Sequence, residues 1–435
     1  GGDSLYGESI YTNRVELIGN TPLLRNIDLS WSYNSHWQDS WYGNTPYLAQ
    51  QHVGFAQAIW QKTLGKHMLL SGLTTRFTYY DDNSPATTKP DGIGNQPSRV
   101  MLPGLFVQDE WKFANRYTLL AAMRADHHPD HGIIFTPRVA FKWNAGNAGV
   151  FRVNAGTGFR VVNLFTEDHA ALTGARQVVI DGRLDPEQSV NINLNYVLLV
   201  PFYHSYLNID ASLWHTRFSN QIVPDYNTNP NQIIYQNLDG YALSQGFSLN
   251  TEYNWNNRIF VQAGTTLQDV RQFRENANGI MEATQPVLTE SWSGVWALGY
   301  RFPRVDIRID YTGNVYGPMR LPLVGSMDPR PESSPVWSVQ NLQVSKRFGE
   351  RFEIYGGVRN LLNWTPDRGV PFLIARAHDP FDKQVEYDAA GQVLATPRNP
   401  YALTFDPGYV YAPNQGRRLV LGFRFIVPGS PSIKK

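Results

Sequence analysis

The chain has no cysteine in its 435 residues. That removes disulfides, zinc–thiolate sites, iron–sulfur clusters and a cysteine nucleophile together. It has no run near the roughly 18–20 apolar residues of a membrane helix, so a helical membrane protein is excluded. It has no excess charge of one sign: 38 Lys plus Arg stand against 37 Asp plus Glu, which gives no attraction to nucleic acid. Catalytic spacings are missing too, with no G-x-S-x-G elbow, H-E-x-x-H helix or P-loop. No enzyme and no cofactor is expected. The first residues, Gly1-Gly2-Asp3, show no charged n-region or apolar h-region, so a signal peptide for export would lie outside this sequence.

What the chain does have is alternation. Arg304 to Tyr311 places Val305, Ile307, Ile309 and Tyr311 on one strand face and Arg304, Asp306, Arg308 and Asp310 on the other. Ser189 to Tyr196 sets Val190, Ile192, Leu194 and Tyr196 against Asn191, Asn193 and Asn195. Near the end, Leu419, Leu421, Phe423 and Phe425 alternate with Arg418, Val420, Gly422 and Arg424. Each such strand needs an apolar medium on one side and water on the other. A barrel hides its hydrophobicity at alternate positions, so a mean hydropathy of -0.37 is compatible with crossing a bilayer. Aromatics are abundant, and Trp111, Trp143, Trp255 and Trp364 fall near strand ends, where interfacial girdles form.

The spacing of the connections carries more information than any one strand. Tight turns are expected at Thr21–Arg25, Gly65-Lys66, Ala114–Arg116, Asn144–Gly149, Pro201–His204, Asn256-Asn257, Phe302-Pro303 and Gly349-Glu350. Long loops are expected between them, at 37–47, 81–98, 126–134, 160–187, 219–240, 273–287, 317–335 and 365–415. Short turns on one side and long loops on the other are the layout of an outer-membrane barrel, with the turns in the periplasm. No repeat of about 40–50 residues is present, which argues against a soluble β-propeller. The fold class read here is all-β, an antiparallel transmembrane β-barrel. Eight turns imply about sixteen strands, and the run 416–425 makes about seventeen, whereas bacterial single-chain barrels close with an even number. Residues 1–425 are therefore read as a barrel incomplete at its N-terminus, and 426–435 as a C-terminal extension.

Several ordered segments resemble the TonB-dependent outer-membrane receptor family, in particular receptors of the Bacteroidota. Phe151-Arg-Val-Asn-Ala-Gly-Thr-Gly-Phe-Arg160, continuing to Asn163-Leu-Phe-Thr-Glu167, is similar to the family's strand-and-loop signature, with Val162 where Pro is common. Ala121–Asp126 and Phe135-Thr-Pro-Arg138 resemble the hairpin that precedes it. Gly357-Val-Arg-Asn-Leu-Leu-Asn-Trp-Thr-Pro366 is similar to the penultimate-strand motif, and Tyr411–Arg417 with Leu419–Phe425 to the closing strand. From the residues themselves, Gly156 and Gly158 mark a bend or a close backbone approach.

The resemblance implies a barrel of about 22 strands around an N-terminal plug. It also implies energy from the TonB–ExbB–ExbD system acting on that plug, which is not visible in this chain. A scarce, bulky ligand is expected, with a ferric siderophore heading the list. Cobalamin, another metal chelate, an oligosaccharide or a passive porin are the alternatives. The haem-receptor loop motif is not found.

The candidate ligand-binding residues lie in the expected external loops. They are Trp37, Trp41, Tyr226 and Tyr235, the cluster Asp126, His127, His128, Asp130 and His131, and Glu167 with His169. Three imidazoles and two carboxylates within 126–131 have the chemistry of a transition-metal site. Loop spacing fixes no coordination geometry, however, and a solvated Asp/His/Pro loop fits the same residues. No metal site is assigned.

Overall fold

The alternating runs form long strands in the computed structural model. It describes residues 8–426 apart from 43–44, 90–91, 147, 162–176, 183, 226–227, 229–231, 277, 323–330, 367–385, 387, 390–393, 399, 401–410 and 414. The first eight strands are β1 (Glu8–Leu24), β2 (Ile27–Tyr42), β3 (Thr45–Leu64), β4 (His67–Asp82), β5 (Ser98–Phe113), β6 (Tyr117–His128), β7 (Gly132–Ala145) and β8 (Gly149–Arg160). A short β9 (Gln177–Ile180) precedes β10 (Glu187–Phe202) and β11 (Ser205–Ser219). Then come the short β12 (Ile222–Asp225) and β13 (Gln232–Asn237), followed by β14 (Gly240–Trp255), β15 (Ile259–Glu275) and a short β16 (Met281–Thr284). The last five are β17 (Trp292–Phe302), β18 (Ile307–Tyr316), β19 (Trp337–Phe348), β20 (Phe352–Arg359) and β21 (Arg418–Phe425).

Seventeen of these strands pair antiparallel with their sequence neighbours in one continuous wall from β1 to β21, and β16 extends it locally beside β15. The wall matches the strand number expected from the turns. Among the described residues, β1 pairs only with β2 and β21 only with β20. The remaining strands form a separate sheet in which β13 pairs antiparallel with β12 and parallel with β9.

The eight tight turns expected from the sequence lie at one end and hold two to four residues each. Asn26 (φ 68°), Gly65 (φ 60°) and Gly349 (φ 61°) take the left-handed backbone that such hairpins require, which Gly and Asn adopt at least cost. The first turn is 25–26, because Thr21–Leu24 continue β1. The turn after β17 covers 303–306, so Val305 and Asp306 sit in the turn and not on strand faces.

Wall residues separate cleanly by face. Leu73 and Leu105 are cross-strand partners and 66% and 57% exposed; Phe77, Met101 and Val107 share their face. On the opposite face of the same strands lie Thr74, Arg76, Tyr80, Gly104, Arg124 and Asp126. The small sheet packs on this second face: Val178, Ile233 and Tyr235 form a core with Tyr42 and Tyr47 of the wall. The polar face is thus the lumen and the apolar face the exterior. Ile307 and Ile309 align with Phe302 and Tyr300 on the exterior, and Arg308 and Asp310 fall on the lumen side, as the alternation predicts.

The girdle also forms, at the turn end of the exterior. Trp111–Phe113, Phe113–Tyr117 and Tyr117–Phe141 succeed one another at ring separations of 4.6, 5.5 and 5.9 Å, with Trp143 beside Tyr117. Trp364 does not belong to it. Its ring stacks on Trp337 at 5.4 Å in a core at the loop end.

Candidate functional site

The loop end of the lumen is where the chain builds a site. Two of the expected long loops are not loops. The run 37–47 is mostly strand, since β2 continues to Tyr42 and β3 starts at Thr45. The run 126–134 is a hairpin with only 129–131 between its strands. In both cases the strands extend further than a bilayer-height count allows. At about 3.3 Å rise per residue and a tilt near 40°, ten residues already cover an apolar band of roughly 25 Å.

This relocates several candidate residues. Trp37 and Trp41 lie on the exterior of β2, 40% and 48% exposed, and face away from the lumen. Tyr235 is 4% exposed and locked into the core between the small sheet and the wall, so it is a packing residue and not an open capture surface. His127 is exposed on the exterior of β6, opposite its neighbours. Glu167, His169 and Tyr226 lie outside the described residues, as does the Asn163–Glu167 part of the signature.

The remaining members of the 126–131 cluster come together, but not as a metal cage. His128 is buried, and its Nδ1 accepts a hydrogen bond from the Asp130 backbone N–H at 3.2 Å. The His128 and His131 rings lie 4.6 Å apart with 38° between their planes, and His131 Nδ1 is 3.8 Å from Asp185 Oδ1. Among the described residues, no group of three or more His, Asp or Glu is placed to hold a metal ion.

Asp126 is the best-anchored member. It is 1% exposed, and Arg124 donates to both its oxygens, Nε to Oδ2 at 2.7 Å and Nη2 to Oδ1 at 2.6 Å. A two-pronged, charge-assisted pair of this kind is the strongest ordinary way to keep a carboxylate buried. Arg124 Nη2 also donates to Thr74 Oγ1 at 3.0 Å. Gly104, opposite Asp126 in β5, leaves room for this arrangement: a Cβ there would collide with Asp126 Oδ1 and lie 2.9 Å from Thr74 Oγ1.

Around this pair a cavity of about 590 Å³ opens between the wall and the small sheet. Arg76, Arg124 and Arg160 line it together with Tyr80, His128 and Phe159. Arg160 Nε donates to Glu187 Oε2 at 2.7 Å, and Glu187 Oε1 accepts from the Ile222 backbone N–H at 2.9 Å, which ties the wall to the start of β12. Phe159 and Arg160 are the aromatic–Arg pair of the signature, so that motif contributes directly to the cavity lining. Arg76 is exposed into the cavity and makes no ion pair among the described residues. On the mouth side, Tyr47 and Tyr80 hydroxyls lie 2.9 Å apart, and Tyr80 donates to Asp82 Oδ2 at 2.5 Å. Asp82 Oδ1 accepts from the Ser84 backbone N–H and from Thr87 Oγ1, at 2.9 Å each.

A second cavity, about 820 Å³, lies over β15 to β18 and is lined by Asp225, Arg274, Glu282, Arg320 and Glu332 among others. Its floor is braced by Arg320 Nη1 donating to the Gln285 carbonyl at 3.0 Å. Beyond it, Asn360 closes the long last loop: its amide donates to the Trp364 and Gln415 carbonyls at 2.7 and 2.9 Å, and its Oδ1 accepts from the Trp364 N–H at 3.0 Å. Burial beside Trp337 and Met319 pushes the Tyr411 hydroxyl up from its ordinary pKa.

The cavity arginines were not among the candidate residues. The signal for one was present: Arg124-Ala125-Asp126 puts opposite charges two residues apart, on one strand face. Arg308 and Asp310, Arg271 and Asp269, and Arg14 and Glu16 repeat the spacing as ion pairs.

Residues 4–361 match the family model described as TonB dependent receptor-like, beta-barrel. The chain is 27% identical over 206 residues to the iron-regulated outer membrane virulence protein of Vibrio cholerae serotype O1 (strain ATCC 39315 / El Tor Inaba N16961), covering 44% of this chain and 30% of that protein. Its fold is similar to the siderophore receptor PirA from Pseudomonas aeruginosa, with a TM-score of 0.61 at 14% identity, covering 83% of this chain and 62% of that one. It is also similar to a mutant of the ferric enterobactin receptor PfeA from Pseudomonas aeruginosa in complex with enterobactin, with a TM-score of 0.63 at 12% identity, covering 97% and 72%. The match thus spans under a third of the curated relative and under two thirds of PirA. The chain belongs to the TonB-dependent receptor family, as an outer-membrane β-barrel.

Proposed function

We propose that the complete protein imports a ferric siderophore across the outer membrane by TonB-coupled active transport. The observation that carries this reading is the lumen cavity of about 590 Å³ under the small sheet, lined by Arg76, Arg124 and Arg160 beside Tyr80 and Phe159. Arg124 and Arg160 are each neutralised by a carboxylate, and Arg76 is left to meet an anionic chelate. Guanidinium groups donate charge-assisted hydrogen bonds to a bulky, negatively charged ligand, and aromatic rings pack against its apolar parts. The names of the similar proteins, an iron-regulated outer-membrane protein and siderophore receptors, support the same ligand class.

The reading includes parts beyond this wall. In a bilayer every backbone polar group needs a partner, so the edges of β1 and β21, each paired on one side only among the described residues, call for further strands. Accumulation needs energy that the outer membrane does not hold, so coupling runs through TonB and ExbB–ExbD to a plug. The role is transport and not catalysis. Uptake of radiolabelled ferric siderophores by cells expressing the full-length protein, with and without TonB, tests this. TonB-dependent uptake is expected. Equal uptake in both strains turns the reading to a passive porin, and specific uptake of cobalamin or an oligosaccharide replaces the ligand alone.

A further inference from the structure

The exterior wall is apolar over most of its area, but one concave patch on it sets carboxylates and amides beside aromatic rings. It lies near the loop ends of β1 to β4, as a pocket of about 600 Å³ lined by Tyr11, Trp37, Asp39, Gln50, Asp81 and Asn95. Trp37 stands ten residues above the β1–β2 turn, roughly 25 Å along the membrane normal at about 3.3 Å per residue and a tilt near 40°. That is the top of the hydrocarbon band. Asp39 and Asp81 therefore open into the headgroup layer of the outer leaflet.

The patch is organised, which a casual polar surface would not be. Tyr79 Oη donates to Asp81 Oδ2 at 3.3 Å, and Asn95 Nδ2 donates to Asp81 Oδ1 at 3.0 Å. Gln50 Nε2 lies 2.6 Å from His52 Nε2, and His52 Nδ1 faces the hydroxyls of Tyr33 and Ser35 at 2.9 and 3.1 Å. The Trp37 ring is held edge-on against the His52 ring at 5.3 Å. At the lip, the Arg99 guanidinium lies 5.6 Å from the Tyr79 ring centre.

We propose that this pocket binds a sugar ring in the headgroup of an outer-leaflet glycolipid. Carboxylates accept from sugar hydroxyls, the Gln50 and Asn95 amides both donate and accept, and the Trp37 and Tyr11 rings offer flat faces for the apolar side of a pyranose. Asp39 and Asp81 repel a phosphate from the floor of the pocket, so a phospholipid headgroup does not fit it. Arg99 stands outside the floor, placed to meet an anionic substituent on the same lipid.

The experiment is native mass spectrometry of the full-length receptor extracted from its outer membrane in mild detergent. It is followed by rebinding of purified lipooligosaccharide, with phosphatidylglycerol vesicles as the phospholipid probe. Trp37→Ala and Asp81→Asn are compared with Leu298→Ala on a distant part of the exterior, all checked for heat-modifiable migration as folded barrels. Each pocket variant is expected to lower lipooligosaccharide retention and rebinding about tenfold, the effect of losing one good directional contact. Leu298→Ala should leave it unchanged. Equal retention in all three variants would overturn the proposal, as would retention of phosphatidylglycerol alone. So would a Trp37→Ala variant that turns a dimer into a monomer with its glycolipid intact, since a second copy would then be the occupant.

Discussion

The two ends of the wall are built on opposite principles. At the turn end, hairpins of two to four residues follow one another with little besides backbone geometry and an aromatic belt to hold them. Six of the eight turns carry Arg25, Lys66, Arg116, Arg258, Arg304 or Arg351, all exposed and without an ion pair among the described residues. At the loop end, distant segments are brought together: β9 and β13 pair in parallel between residues 55 apart in sequence, and their core takes in Tyr42 and Tyr47. The turn end is local and repetitive, whereas the loop end, apart from the short β2–β3 and β6–β7 hairpins, is non-local and singular. Anchoring in a membrane needs the first and recognising one ligand needs the second.

The sharpest way to break this comparison is to empty the core that joins the small sheet of β9, β12 and β13, the lid hereafter, to the wall. Tyr42 is 1% exposed, and Tyr42→Ala should cost the local packing about 3–5 kcal/mol, as for other buried aromatics. Hydrogen exchange should show protection lost at 177–180 and 232–237 while the wall strands β14 and β15 keep theirs. Simultaneous loss in β14 and β15 would mean that lid and wall are one cooperative unit. Next in size is the wall itself. Leu73 stands mid-height on the exterior, and Leu73→Arg should destabilise the barrel by about 2–4 kcal/mol in bilayer folding titrations, because a lipid-facing charge must be desolvated. An unchanged midpoint would place Leu73 away from lipid. The same change at Ile307, the first residue of β18 beside the turn, should cost only about 0–1 kcal/mol, since substitutions near the interface are mild. Equal costs at Leu73 and Ile307 would erase the depth difference.

The smallest effect is electrostatic and belongs to the turn end. Arg301 donates to Asp306 Oδ1 from Nε at 3.1 Å and Nη2 at 2.7 Å, and this hydrogen bonding holds the Asp306 carboxyl below its ordinary pKa. A lowered folded-state pKa means the clamp is fully present above the ordinary carboxylate range and is lost as pH falls through the lowered value. Asp306→Asn should therefore remove a small, salt-sensitive stabilisation at pH 7 and leave stability at strongly acidic pH unchanged. A stability difference that persists undiminished at acidic pH would contradict this.

The same contrast explains what could be read from the sequence. The turn end was legible because the hairpins are specified by neighbours: alternation on both sides and, in six of the eight, a Gly or Asn between, as at Gly65 and Gly349. Sixteen of the seventeen wall strands follow from that, and the alternation of 418–425 supplies the last. The loop end was legible only where a charge found its partner two residues away, as Asp126 does in Arg124. Trp37 and Trp41 were placed in a loop because β2 runs on past the bilayer, where a strand no longer needs a purely apolar exterior. Tyr235 resembled an exposed aromatic because its partners, Tyr42 and Val178, lie far off in sequence and meet it only in the folded lid. Val305 was given a strand face because the alternation continues through a turn that ends at Asp306.

The central claim is that recognition resides in the lumen cavity at the loop end. The most direct test is equilibrium titration of the purified full-length protein with the ferric siderophore that supports its uptake, comparing Arg76→Gln with Arg304→Gln. Losing one charge-assisted contact inside the cavity should weaken binding about tenfold or more, while the turn-end change leaves affinity as it was. Unchanged affinity for Arg76→Gln, or an equal loss in both, would contradict it.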